Sequence, residues 1–434
     1  MANIKKNSYI KDNSTKNFFN GKICQGNEFL EEASERFNYF YDQGFMGMLE
    51  REFHTHAKKN SLVSFSRYQS DRNVHKVIHL GSYNYSGLNG NLEIEKCAIE
   101  AIKNYGTTSS GVRLLNGTNN LHIKLEEDLA RFLGVEEVIT VSSGYVANIA
   151  AISTLCREGD IVLSDMLNHQ SINDALKLSG AKVITYRHCS VNSIEKILKK
   201  YAHIERKFLV TDGVFSMDGD LAPLSEIVPL CERYGAKIIV DDAHGTGHIG
   251  KNGRGVCDLF GVTAKVSIIT GSLSKGLPGI GGFVATDKET AKIIRTAASP
   301  YIFSASIPPS VSASVIKAVE ILQAHPEISC ELEEKTKYFI KKLRSYGFEL
   351  LNTESSIVPI VVYEEDKAFD LTRKLHEIGV YVNPVVYPAV AKSRARIRIN
   401  LSANITYDEL NFCIDAISSC GVELGLISSP VSDN

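Results

Sequence analysis

The chain has 434 residues, with 48 Lys and Arg against 50 Asp and Glu, a net charge of −2 and 44% hydrophobic residues. Single cores stop growing at roughly 250 to 300 residues, so this length predicts one large domain with a smaller companion. The near-even charge excludes a nucleic-acid or membrane-surface protein driven by electrostatics. The nine cysteines contain no CxxC pair; an odd, scattered set indicates neither a disulfide framework nor a zinc site, and fits a reducing cytoplasm.

No apolar run reaches the roughly 18 to 20 residues of a membrane span, and the start MANIKKN lacks an apolar leader. A soluble protein without an integral membrane segment is expected. Residues 1 to about 28, rich in Asn, Lys and Ser, read as a loosely docked extension. From about Glu31 to Lys59 an amphipathic helical pattern with Phe37, Tyr39, Phe40, Tyr41 and Phe45 predicts an arm that packs on the body or on a partner.

After Leu80 short β-branched runs alternate with helical stretches. Val138–Val141, Ile161–Leu163, Lys182–Thr185, Phe208–Thr211, Ile238–Val240 and Ser267–Ile269 predict strands; Leu121–Leu133, Ala147–Cys156 and Leu224–Tyr234 predict helices between them. That alternation is the pattern of an α/β fold, a mostly parallel sheet covered on both faces with ligands at the carboxyl ends of its strands. A helix near Ser310–Ala324 leads onward, and Gly347–Glu364, Tyr381–Pro384 and Arg394–Leu401 read as strands of a smaller C-terminal α+β domain. The expected division is 1–80 for the extension and arm, 81–310 for the large domain and 311–434 for the small one.

The loops after the strands carry the chemistry. Ser142–Asn148 runs straight into a helix, so Ser143 and Gly144 expose backbone N–H groups and the positive dipole end, which suits a phosphate. Taken alone, Ser143 reads equally as a simple N-cap, and Tyr145 stands where it can cover a ligand. His169 heads the next helix, either capping it or lying flat on an aromatic cofactor. Asp212–Asp220 is too polar and turn-rich for core and is a candidate substrate loop.

Two further loops belong together. Val240-Asp241-Asp242-Ala243-His244-Gly245 follows one strand, and Ser272-Leu273-Ser274-Lys275-Gly276 follows the next. A lysine in a glycine-rich loop is ordinarily a solvated surface residue. Beside a carboxylate at a neighbouring strand end it meets the needs of pyridoxal 5'-phosphate (PLP) chemistry. There the lysine holds the aldehyde as a Schiff base, and the carboxylate keeps the ring nitrogen protonated so that the ring accepts electrons.

In order along the chain, Asp212–Asp220, the Asp241–Gly255 run DDAHGTGHIGKNGRG, Ser272–Lys275 and Tyr301-Ile302-Phe303-Ser304-Ala305-Ser306 match one family. From about Leu80 to Ile427 the chain resembles the α-oxoamine synthases, PLP-dependent acyltransferases of fold type I. Asn352–Ser355 and Val382–Val386 look closest to the bacterial serine palmitoyltransferase branch, which belongs to sphingolipid biosynthesis. The resemblance implies a seven-stranded sheet and a homodimer in which Ser304 reaches the cofactor phosphate of the neighbouring subunit.

By the same resemblance Lys275 is the cofactor lysine and later the base at Cα, Asp241 the partner of the ring nitrogen, His244 that of the ring hydroxyl, and His169 the residue stacked on the ring. Ser143, Gly144, Tyr145 and Ser272 are similar to the phosphate-side residues. Tyr83, Asn84 and Ser216 lie at the amino-acid substrate, and either Arg398 or Arg396, two residues apart on one strand face, clamps its carboxylate. The implied reaction condenses a small α-amino acid, serine ahead of glycine and alanine, with an acyl-CoA or acyl-carrier-protein thioester, losing CO2 to give a 2-amino ketone. A fold type I aminotransferase or decarboxylase without a thioester is the alternative. The sequence departs from the family at Tyr83, where many relatives carry Asn, at Ser86, where Leu is usual, and at Asn404, within a stretch where many carry His.

Overall fold

The computed structural model describes residues 52–55, 60–64, 74–387 and 389–428. The extension at 1 to about 28 and most of the helical pattern from Glu31 to Lys59, with its five aromatic residues, lie outside the described residues. The described part corrects that expectation, because Glu52–Thr55 is a strand, β1. It pairs antiparallel with β2 (Asn60–Ser64), and β2 pairs with β3 (Val74–His79). Cross-strand partners override local helical periodicity, since strand preference is set largely by what the strand packs against.

The central sheet uses β4 (Glu137–Val141), β5 (Ile161–Asp165), β6 (Lys182–Tyr186), β7 (Lys207–Asp212), β8 (Ala236–Asp241), β9 (Ile268–Ser272) and β10 (Gly282–Thr286). Their order is β4-β10-β9-β8-β7-β5-β6, which confirms the expected seven-stranded, mostly parallel sheet. Six strands match the runs read from sequence. The seventh, β10, was not among them; it lies antiparallel between β4 and β9. Its neighbour β9 carries a glycine for a steric reason: a Cβ at Gly271 would meet Cζ of Phe283 at 2.3 Å, so only glycine lets that ring cross the strand.

Alternate residues of each strand go to opposite cores, as a two-unit side-chain period requires. Leu209, Ile238 and Ile269 join one apolar cluster with Ile194 and Ile227 of the helices Val191–Lys200 and Leu224–Tyr234. Val210, Ile239 and Ile268 join another with Ala147 and Ile172 of the helices Gly144–Leu155 and Gln170–Ser179. Each fully buried Leu, Ile or Val contributes about 1.5–3 kcal/mol. The sheet between the two cores is therefore a rigid platform for what its strand ends carry.

Toward the C-terminus the chain forms β11 (Ile357–Tyr363), β12 (Val380–Tyr381), β13 (Asn383–Val385) and β14 (Ala395–Asn400). The order β11-β14-β13 makes a small antiparallel sheet, whereas β12 adds parallel to β3. The segment expected as one strand at Tyr381–Pro384 thus splits at Val382 between two sheets. The strand expected from Gly347 begins only at Ile357. Before it Leu351 sits at φ 43°, and the hydroxyls of Thr353 and Ser355 donate to the carbonyls of Ile357 and Gly219, at 2.5 and 2.7 Å, holding this stretch as turns against the Asp212–Asp220 loop. Among the described residues no helix is long and apolar enough to cross a membrane.

Candidate active site

Strands β7, β8 and β9 run parallel and in register, with Asp212 opposite Asp241 and Asp241 opposite Thr270. Their carboxyl ends therefore release Asp212, Asp241 and the Ser272–Lys275 turn on one side of the sheet. There a cavity of about 240 Å³ is lined by Ser143, Gly144, Tyr145, His169, Ser216, Asp241, His244, Ser272 and Lys275, together with Ser171 and Asp212. A second cavity, about 560 Å³, is lined by Tyr83 and Asn84 and shares Ser274 and Lys275 with the first. Lys275 thus stands at the divide between two spaces.

Asp241 is held by a buried polar network. Its Oδ1 accepts from the Ala243 N–H at 3.0 Å and its Oδ2 from Asn148 Nδ2 at 2.6 Å. The Thr270 hydroxyl donates to Asn148 Oδ1 at 2.6 Å, which fixes the amide so that Nδ2 faces both Asp241 and Ser171 Oγ, the latter at 2.8 Å. Ser171 Oγ in turn lies 2.7 Å from His169 Nδ1. Two donors thus fix the orientation of this carboxyl group. None of Asn148, Ser171 or Thr270 had a role in the sequence reading; hydroxyls and amides carry no pattern until folding brings them together.

His169 caps a helix and also lines the cavity. Its Nδ1 accepts from the Ser171 N–H at 3.3 Å, capping the helix Gln170–Ser179, while its ring lies open on the cavity. Removal from bulk water lowers its pKa, with Lys275 acting the same way against Asp241, so the ring is neutral at neutral pH. His244 is fully enclosed, its pKa driven well below the ordinary value by burial and then by Lys275 and Arg398. The Tyr85 hydroxyl lies 2.9 Å from His244 Nδ1, and the Tyr85 ring stacks on His248 with centroids 4.2 Å apart. Tyr85 and His248 are additions to the predicted set.

Lys275 Nζ lies 5.9 Å from the centroid of the Tyr83 ring. Burial lowers its pKa, against the pull of Asp241 and Asp212. A lysine depressed in this way is closer to the neutral amine that reacts with carbonyls. At the start of the helix Gly144–Leu155, Ser143 is the N-cap, its Oγ accepting from Val146 N–H at 3.1 Å. The first N–H groups of the helix remain outside its internal ladder. A Cβ at Gly144 would come 3.0 Å from Ser272 Cβ, a tight contact that glycine avoids. Ser272 Oγ pairs with Ser274 Oγ at 2.7 Å, and the Tyr145 hydroxyl donates to Asp174.

The two arginines of β14 differ in their partners. Arg396 pairs with the Asp218 carboxylate and donates to the Met217 carbonyl at 2.9 Å, so its charge is answered within the chain. Arg398 has no carboxylate partner among the described residues. It donates to the Tyr83 hydroxyl and makes a 3.4 Å contact with the Ser216 carbonyl, and its buried Nε has no partner. Asn84 accepts from the Asn89 N–H at 3.2 Å through Oδ1, and Asn404 packs on Gly87, donating to its carbonyl. The Asp212–Asp220 loop is anchored by a residue without a role in the sequence analysis. His188 bridges Asp165 at 3.0 Å and Asp220 at 2.7 Å; although burial opposes its charge, these bonds raise its pKa to about 12.

Ser304 does not line the Lys275 cavity of its own chain. Its neighbour Ser306 is committed within the chain, donating to the carbonyls of Gly111 and Gly117 at 3.2 and 2.7 Å.

These residues suit PLP on the structure's own terms. The cavity has a helix N-terminus for a phosphate, a doubly hydrogen-bonded carboxylate for a cationic ring nitrogen and a depressed lysine for an aldehyde. It also contains one buried carboxyl oxygen, Asp212 Oδ1, with no partner.

The model for the aminotransferase class I and II family matches residues 75–417. An 8-amino-7-oxononanoate synthase from Petrotoga mobilis is 41% identical over 82% of this chain and 91% of its own length. A serine palmitoyltransferase from Bacteroides ovatus is 40% identical over 81% and 90%. Among solved structures, serine palmitoyltransferase from Sphingomonas wittichii superposes with a TM-score of 0.86 at 31% identity, covering 92% of this chain and 98% of that one. A fold type I architecture, a lysine and carboxylate at neighbouring strand ends and relatives of these two kinds lead to one conclusion: the chain belongs to the aminotransferase class I and II family, as a PLP-dependent acyltransferase of its α-oxoamine synthase group.

Proposed function

We propose that this enzyme condenses serine, with glycine and alanine as the competing small amino acids, with an acyl-CoA or acyl-carrier-protein thioester, releasing CO2 and a 2-amino ketone in the cytoplasm. The observation that carries the reading is Lys275 at the divide between a small polar cavity and a larger one. One space suits the cofactor ring and amino acid, the other an acyl group approaching from the opposite side. When bound, PLP supplies the electron sink that stabilises negative charge at Cα.

The protein's residues do the rest. Asp241, oriented by Asn148 and the Ala243 N–H, would hold the ring-nitrogen proton. His169 offers a neutral flat ring to the cofactor face, and His244, oriented by Tyr85, faces the ring hydroxyl. Gly144 and Tyr145 N–H groups with Ser143, Ser272 and Ser274 hold the phosphate. Arg398, free of internal carboxylates, clamps the substrate carboxylate beside Tyr83, Asn84 and Ser216, as guanidinium geometry favours; Arg396 stays with Asp218. Lys275, as an amine, would move the Cα proton. The domain limits at 80 and 310 go with this reading.

The test is a panel of amino acids against acyl-CoAs of graded length, scoring free thiol and CO2. Serine-dependent thiol release is the expected result. Amino-acid turnover without thiol release would favour an aminotransferase or decarboxylase instead.

We further propose a homodimer with shared sites. Support comes from Ser304, which lies outside its own chain's cavity, and from Leu115 and Phe303, both 79% exposed. Mixing Lys275→Ala with Ser304→Ala protein should restore one intact site per hybrid dimer. Proven subunit exchange without recovery of activity would rule out the sharing.

A further inference from the structure

Asp212 ends β7 directly opposite Asp241 at the end of β8. The parallel register thus turns two carboxyl groups into one cavity, yet their surroundings differ. Asp241 receives two hydrogen bonds, from Ala243 N–H and Asn148 Nδ2. Asp212 receives one, from the His169 N–H at 3.1 Å on Oδ2, while Oδ1 is buried without a partner. The residue itself is only 5% exposed.

The charged groups facing it are Asp241 on β8, Lys275 after β9, His169 before the next helix and Asp165 at the end of β5. His169 is neutral and Asp165 is committed to His188. One ammonium thus faces two carboxyl groups whose side chains are buried at the strand ends. Neighbouring like charges cannot both ionise freely there, and the group with fewer donors keeps the proton. Burial first, and then Asp241, raises the Asp212 carboxyl well above the usual carboxylate range, against Lys275 and the His169 N–H.

We propose that Asp212 is a second functional carboxyl of this site, held as the neutral acid beside the Asp241 carboxylate. One oxygen fixes the backbone of His169; the other, as an O–H, donates to an oxygen acceptor of the group that fills the cavity. The donor half of the proposal rests on the PLP reading, and the protonation half does not. Asp212 and Asp241 then answer the same substitution oppositely. Asparagine reproduces a carboxylic acid, with one acceptor and one donor, but removes the charge of a carboxylate.

The experiment separates the halves. In the cofactor-free protein at neutral pH, the infrared difference spectrum between wild type and Asp212→Asn should contain the C=O stretch of a protonated carboxyl, present only in wild type. No such band, or one that persists in the variant, overturns the proposal. In the loaded protein Asp212→Asn should keep PLP affinity within about threefold and leave the pH transition of the cofactor absorption in place. Asp212→Ala should weaken retention about tenfold or more, as expected when a charge-assisted or buried hydrogen bond is removed. A transition displaced by about one pH unit in Asp212→Asn would mean that a charge had been removed, and would sink the idea. Circular dichroism of both variants checks that they fold. Wild-type protein that takes up no PLP would count against the donor half, and the infrared band would still decide the protonation.

Discussion

On the sheet side of Lys275, Asp241, Asn148, Ser171 and Thr270 hydrogen-bond to one another at 2.6 to 2.8 Å at the ends of strands buried on both faces. On the other side, where the Gly81–Leu88 turn meets β14, Arg398 Nε, Asn400 Oδ1, Asn404 Oδ1 and Ser86 Oγ are buried without partners. An unmet buried polar atom costs about 1–3 kcal/mol. Under the proposed function the difference matches two tasks: the first region is finished in advance for the cofactor, and in the second Arg398 keeps a donor for the amino acid. Asp212 Oδ1 is the exception on the sheet side.

The largest effect that would test this contrast is at Lys275. Lys275→Ala should lower turnover by at least about three orders of magnitude, and borohydride should no longer fix the cofactor to the protein. Covalent capture at another lysine would break the assignment.

Asp241→Asn should keep the fold and lose about two to three orders of magnitude in turnover, the scale for removing one preorganised electrostatic group. Near wild-type turnover would return Asp241 to a purely structural role.

The substrate side should respond in binding instead. Arg398→Lys loses the planar fork and should raise the amino-acid KM about ten- to hundredfold with a smaller change in kcat. Arg396→Lys should act mainly on thermal stability, through the Asp218 pair. Equal KM effects would erase the distinction between the two arginines.

The smallest effect concerns His248, whose buried ring nitrogens have no partners and whose pKa burial lowers to about 3. The unfolded chain takes its proton near the ordinary value of about 6.5, so the folded state loses stability as pH falls from there toward 3. His248→Phe keeps a ring against Tyr85 and removes this loss, which amounts to at most about 1.4 kcal/mol per pH unit. Urea midpoints measured across this window should diverge between the two proteins as the pH drops; parallel curves would show that His248 is not held neutral.

Much of the sheet was legible because strand runs and helical faces are local patterns of two and 3.6 residues. Asp241 and Lys275 were legible for a related reason, since each follows directly on a strand. Strand β10 escaped because Gly282–Thr286 opens on glycine and its antiparallel place is set by β4 and β9. The stretch Glu52–Thr55 read as helix because its partner β2 is invisible to a local window.

By itself, then, the sequence determined the layered α/β plan, the family, and the placing of Lys275 and Asp241 at neighbouring strand ends, because motif and periodicity are properties of neighbours in the chain. Only the tertiary structure distinguished the surroundings of Arg396 and Arg398, two identical residues on one strand face, because the Asp218 that answers one of them is 178 positions away. It alone joined Thr270 to Asn148 and Asn148 to Asp241, across 122 and 93 positions, and set Asp212 opposite Asp241. Those pairings depend on parallel register and burial, which no local pattern encodes.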